Sequence, residues 1–95
     1  MTNAKDDDRP LAGMRVIEVG QLLAGPFAGT ILGYYGAEVI KVEPPPAGDP
    51  IRGWREVKNG TALWWASLAR NKKCVTLDLK SERGRELLRE LVATA

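Results

Sequence analysis

With 95 residues, 44% of them hydrophobic and 27% charged, the chain has the composition of one small globular domain and can bury only about 60–65% of its unfolded surface. A formal net charge of +2 is too small to argue for nucleic acid, and no apolar run is long enough for a membrane span. With no histidine and one cysteine, Cys74, the chain has no zinc ligand set, no Ser-His-Asp triad and no internal disulfide; a lone thiol fits a reducing cytosol, with burial as its plain reading.

Residues 1–9 are polar, contain Asp6-Asp7-Asp8 and lack an apolar signal-peptide core, so they read as a disordered leader. Residues 10–95 are organised around Gly13 to Glu43. Met14 to Val19 is β-branched and apolar on one face, which predicts a buried strand broken by Gly20. Pro26 suits the first turn of a helix, where its missing N–H costs nothing. Phe27, Ile31, Leu32 and Tyr35 follow at helical spacing, Gly36 is the C′ residue, and Val39, Ile40 and Val42 form a second strand. Two strands joined by a helix predict a parallel β-α-β unit. Gly25, Gly29 and Gly33 form a stripe that lets the helix lie close against the sheet. Ligands of such sheets sit beyond the carboxyl ends of the strands, which points to the turn Gly20 to Pro26 and the loop after Glu43. The helix start beside that turn offers N–H groups to an anionic or nucleotide-like ligand.

Pro44 to Pro50 can neither continue a strand nor start a normal helix and reads as an extended loop. Arg52 and Arg55 flank Trp54; they fit an anion grip or, more plainly, a loop pinned by one aromatic. Thr61 to Ala69 reads as a short helix capped by Thr61, with Leu63, Trp64, Trp65 and Leu68 packed on the sheet or on another chain. Arg70 to Lys73 reads as a basic turn. Cys74 to Leu79 alternates and reads as a third strand, with Val75, Leu77 and Leu79 on one face. Ser81 caps a final helix whose apolar face is Leu87, Leu88, Leu91 and Val92. No fourth strand covers that face, so the chain reads as part of a larger α/β domain. Neither G-x-G-x-x-G nor a G-K-[ST] loop is present. Glu43 stands where a ribose-binding acid would, and Asp49 and Asp78 are single carboxylates in unlike settings.

Residues 10 to 95 resemble the N-terminal part of the class III CoA-transferase family, also called CaiB/BaiF. The matching stretches are Pro10 to Val19 (PLAGMRVIEV), Leu23 to Pro26 (LAGP), Leu32 to Glu43 (LGYYGAEVIKVE), Gly48-Asp49, Arg52 to Trp54 (RGW), Asn71 to Lys73 (NKK) and Leu77 to Lys80 (LDLK); their order and spacing together are specific. The resemblance implies an α/β, Rossmann-like open parallel sheet with flanking helices, here an incomplete large domain of a cytoplasmic enzyme several hundred residues long whose two subunits interlock as a homodimer. Such enzymes move CoA from an acyl-CoA to a free carboxylic acid through an aspartyl-CoA thioester, with CoA as substrate and no permanent cofactor. The nucleophilic aspartate lies beyond the matched region, so none of Glu43, Asp49 and Asp78 corresponds to it and this chain alone is inactive.

By position, the resemblance implies that the backbone of Leu23 and Ala24 lines the CoA pocket, that Leu77, Asp78, Leu79 and Lys80 lie along the nucleotide end of CoA, and that Asn71, Lys72 and Lys73 lie near that end. Lysines and helix N-termini suit the phosphates of CoA. Where some members carry an arginine after the strand-two glutamate, this chain has Pro44. Two alternatives remain at this level: an acyl-CoA racemase of the same family, and a non-catalytic module binding RNA or protein through the basic turn and tryptophans, against which the low net charge and apolar strands argue.

Overall fold

The computed structural model describes residues 8–95; of the expected leader, residues 1–7 lie outside the described residues. Strand β1 (Arg15–Glu18), helix α1 (Ala24–Tyr34) and strand β2 (Glu38–Glu43) form the expected unit, with β1 and β2 parallel and Val16 opposite Val39. A 3-10 turn (Pro50–Gly53), a hairpin of β3 (Val57–Lys58) and β4 (Thr61–Ala62), and helix α2 (Leu63–Leu68) connect β2 to strand β5 (Lys72–Thr76); helix α3 (Glu82–Val92) follows. The main sheet has the order β1-β2-β5, all parallel. Its central strand is the core: Val39, Ile40, Val42 and, less expectedly, Lys41 and Glu43 are buried.

α1 approaches the sheet through its small residues. Its buried positions are Pro26, Gly29 and Gly33, and Gly33 packs against Val39, where a Cβ would come within 3.2 Å of a methyl group. Phe27, Ile31 and Tyr35, which carry the helical spacing, face outward and are exposed. The helix begins at Ala24, two residues before Pro26, and ends at Tyr34; Tyr35 is its C-cap and Gly36, at φ 109, the left-handed C′ residue the sequence called for.

Three connections differ from the sequence reading. Pro50 opens a 3-10 turn after all, because Asp49 caps it by accepting the Ile51 N–H. Asn59 and Gly60, with φ of 53 and 81, make the two-residue turn of a hairpin, so Thr61 is a strand residue rather than a cap. Ala62 takes the cap position of α2 without a side-chain bond. Leu68 is buried, whereas Leu63 and Trp64 are exposed and Trp64 lies 5.7 Å from Trp54, ring to ring.

β5 starts at Lys72 rather than Cys74, so the supposed basic turn contributes two strand residues. Its register is set by β2, whose ladder reaches Glu43 and closes with the Leu77 N–H on the Glu43 carbonyl. Beyond it, three prolines offer no N–H to continue the pairing. Cys74 is exposed, not buried. Ser81 caps α3 as expected, its Oγ accepting the Gly84 N–H at 2.9 Å, and Arg15 donates to Thr94 just past that helix.

Candidate functional site at the carboxyl ends of the strands

The carboxyl ends of all three strands open into one cavity of about 430 Å³. β1 contributes Val19 and Gln21, β2 contributes Val42, Glu43, Pro44 and Pro45, and β5 contributes Leu77, Asp78, Leu79 and Lys80. The walls combine aliphatic and prolyl groups with the polar residues Gln21, Glu43, Asp78 and Lys80. Asp78 accepts the Lys80 N–H at 3.0 Å and its carbonyl accepts from Ser81, which folds residues 78–81 into a tight turn ahead of α3. The Lys80 ammonium has no hydrogen bond or ion pair among the described residues.

Beneath this cavity, on the α1 side of the sheet, lies a chain of buried charge. Lys41 Nζ is 2.6 Å from Glu18 Oε2 and 2.7 Å from Asp49 Oδ2. Lys72 Nζ is 2.6 Å from Glu18 Oε1 and also donates to the Pro26 carbonyl at 2.8 Å. Glu43 accepts both Arg52 Nε and Nη2 at 2.7 Å, and the Asp49 N–H at 2.7 Å. Arg52 in turn lies 3.9 Å over the Trp65 ring. Three carboxylates thus face three cations, of which Lys41 and Lys72 are buried and Arg52 is 41% exposed; the pairing offsets a desolvation cost of about several kcal/mol per buried ion.

The ionisation follows from these contacts. Arg52, and then the Asp49 N–H, hold the Glu43 carboxyl down to about 2 in spite of burial. Burial opposes the charge on Lys41 and on Asp49, but it is outweighed: Asp49 and Glu18 raise the Lys41 value, while the Ile51 N–H, Lys41 and the Leu22 N–H lower that of Asp49. Desolvation, and then Glu43 beside it, push the Cys74 thiol up, away from reactivity.

Leu77, Asp78, Leu79 and Lys80 come together as cavity wall, whereas Leu23 and Ala24 sit at the start of α1, after the β1 turn, and do not line the cavity. Asn71, Lys72 and Lys73 lie at the other end of β5, with Lys73 about 13 Å along the strand from Leu77. Lys73 pairs with Glu38 at 2.6 Å, and Lys72, with its side chain 1% exposed, points inward to Glu18. Sequence reasoning pointed to the two loops that border this cavity but gave Glu18, Lys41 and Asp49 no role, and Glu43 none beyond the place of a ribose-binding acid. The available signal was the alternation Glu38, Ile40, Val42 against Val39, Lys41, Glu43, which places two charges on one face of a strand otherwise built for the core.

Residues 11–95 match the family described as CoA-transferase family III. The chain is 55% identical over 85 residues to the succinyl-CoA–D-citramalate CoA-transferase of Chloroflexus aurantiacus, which covers 88% of this chain and 21% of that protein. It is 43% identical over 86 residues to the succinyl-CoA:glutarate CoA-transferase of Homo sapiens, covering 90% of this chain and 20% of that one. The crystal structure of a CAIB/BAIF family protein from Brucella suis superposes with a TM-score of 0.82 at 41% identity, over 94% of this chain and 25% of that structure. The chain therefore spans about a fifth to a quarter of the length of these relatives. Matched from Leu11 to Ala95 and sharing the parallel-sheet fold, it belongs to CoA-transferase family III.

Proposed function

We propose that this chain is the N-terminal part of a class III CoA-transferase, contributing the nucleotide side of the CoA site to an enzyme that moves CoA from an acyl-CoA to a free carboxylic acid. The observation that carries the reading is the cavity at the carboxyl ends of the strands, walled by Leu77 to Lys80 with an unpaired lysine, in a chain of this family. Lys80 supplies charge to a phosphate of CoA. The first-turn amides of α1, at Leu23 and Ala24, lack intrahelical partners and suit the polar groups of the same ligand. Asn71 and Lys73 stay at the far end of β5, and Lys72 serves the buried network instead.

The nucleophilic aspartate comes from outside these residues. Asp49 is buried and bound by Lys41 and two amides, so it can neither approach a thioester nor leave its partners. Glu43 is equally enclosed by Arg52. Asp78 is exposed, but its carboxylate closes the Asp78–Lys80 turn. The aspartate attacks the acyl carbonyl and releases CoA thiolate; the thiolate displaces the acyl carboxylate to leave an aspartyl-CoA thioester, and the acceptor acid completes the exchange. Succinyl-CoA, named as donor in the relatives above, is the donor to test first. The assembled enzyme is a homodimer in this reading.

The test is exchange by the full-length protein: succinyl-CoA is incubated with a panel of dicarboxylic acids, and new CoA esters are detected by mass spectrometry. Formation of a new ester with release of succinate is expected. No exchange with any acid, together with no calorimetric binding of CoA, overturns the proposal.

A further inference from the structure

The two rims of the cavity are tied to each other by one side chain. On the β1 rim, Gln21 lines the cavity and the next residue, Leu22, stands at φ 64, a left-handed conformation that a leucine rarely adopts. Its N–H donates to Asp49 Oδ1 at 3.1 Å, across 27 residues of sequence. The same oxygen accepts the Ile51 N–H at 2.9 Å, and the Asp49 N–H donates to the cavity residue Glu43 at 2.7 Å. On the β2 rim, Pro44 and Pro45 begin the loop that ends in this aspartate. The other carboxylate oxygen faces Lys41, and the whole side chain is buried. Buried and held from several sides, Asp49 cannot follow a ligand; it fixes where the turn Gly20 to Gly25 stands relative to Pro44 and Pro45.

We infer that Asp49 is a positioning residue for CoA: it sets the separation of the β1 and β2 rims, and so the fit of the nucleotide half of the ligand, without touching it. The inference rests on the transferase reading of the cavity and adds the residue that shapes it. Its effect falls on CoA binding rather than on the chemical step, because a fully buried side chain bound to Lys41 and two amides can act on a ligand only through the loops it holds.

The experiment uses the full-length protein with Asp49→Ala and Asp49→Asn. The asparagine keeps an oxygen for both amides and gives up only the Lys41 contact, so it separates the tie between the rims from the ion pair. Asp49→Ala is expected to raise the calorimetric Kd of CoA and the KM of the acyl-CoA donor about tenfold, with kcat and the KM of the acceptor acid within about twofold. Asp49→Asn is expected to stay within about threefold of the unmodified protein. Amide exchange over residues 20–26 rises in Asp49→Ala. An unchanged Kd in Asp49→Ala overturns the inference; so does Asp49→Asn as weak as Asp49→Ala, or a parallel loss in kcat and both KM values. Should Asp49→Ala fail to fold, Asp49→Ser carries the test, since its shorter side chain can still cap the Ile51 N–H but no longer reaches the Leu22 N–H across the loops. A Kd for CoA raised about threefold or more in the folded Asp49→Ser protein then supports the anchor, and an unchanged Kd removes it. If the unmodified protein binds no CoA, the reading of the cavity falls and this inference falls with it; if it binds and Asp49→Ala binds equally well, this inference falls alone.

Discussion

The ammonium of Lys41 lies 2.6 Å from Glu18 Oε2, with the two side chains 1% and 3% exposed. Asp49 closes the other side at 2.7 Å. Lys41→Met therefore leaves two carboxylates buried without their shared cation, at a cost of about 3–5 kcal/mol in chemical unfolding of the full-length protein. Lys73→Met, at a side chain 66% exposed, removes the Glu38 contact for less than about 1 kcal/mol. Equal losses for the two variants would contradict the special standing of the buried pair.

Acid sensitivity should trace to Glu43. Its carboxyl titrates near 4.5 when free and about 2 when folded, chiefly because of Arg52. Between those values the unfolded chain holds the extra proton, so this stabilisation is complete above about 4.5 and is lost as pH falls toward 2. Asp49 and Glu38, both lowered, act in the same direction. Lys41 is raised, so its contribution is present below 10.5 and is lost as pH climbs through its folded value. Arg52→Met removes the main cause at Glu43 and should flatten the acid limb of the stability profile, read as unfolding midpoint against pH.

Gly29→Ala tests the close approach of α1. A Cβ there would overlap the Glu18 carboxylate, which Lys41 and Lys72 hold in place. The gain in helix propensity, about 1 kcal/mol, is outweighed by overpacking of about 1–3 kcal/mol, so the unfolding midpoint should fall. Gly53→Ala is the control: nothing lies within 4 Å of its added Cβ, and its midpoint should barely move.

Lys80→Ala should weaken CoA binding to the full-length protein about tenfold through one lost charge-assisted contact, and the loss should shrink at high salt. Lys73→Ala, at the far end of β5, should leave the affinity within about twofold. The two Kd values from calorimetry, measured at low and high salt, decide the matter; equal losses would move the phosphate subsite away from Lys80.

Much of the molecule was legible from local pattern. The β-branched runs around Ile17 and Ile40, the glycine stripe, Gly36 and Ser81 are each specified by backbone geometry within a few residues, and each appears where expected. The Asn59-Gly60 hairpin was missed in the sequence although its signal is local, since that pair favours the left-handed turn it adopts. Lys72 and Lys73 misled because basic residues next to an asparagine read as a solvated turn, and nothing nearby in sequence announces an acid waiting for Lys72.

What the sequence by itself determined was the parallel unit from β1 through α1 to β2, the third parallel strand and the capped final helix, because spacing, glycine and proline act on neighbouring residues. The tertiary structure alone decided which charges are buried, where β5 starts and which side chain links the turn after β1 to the loop after β2. Those depend on partners such as Glu18 and Lys41, 23 residues apart, or Leu22 and Asp49, 27 apart. An ion pair has no period, so only the meeting of distant strands shows which carboxylates are held by buried cations.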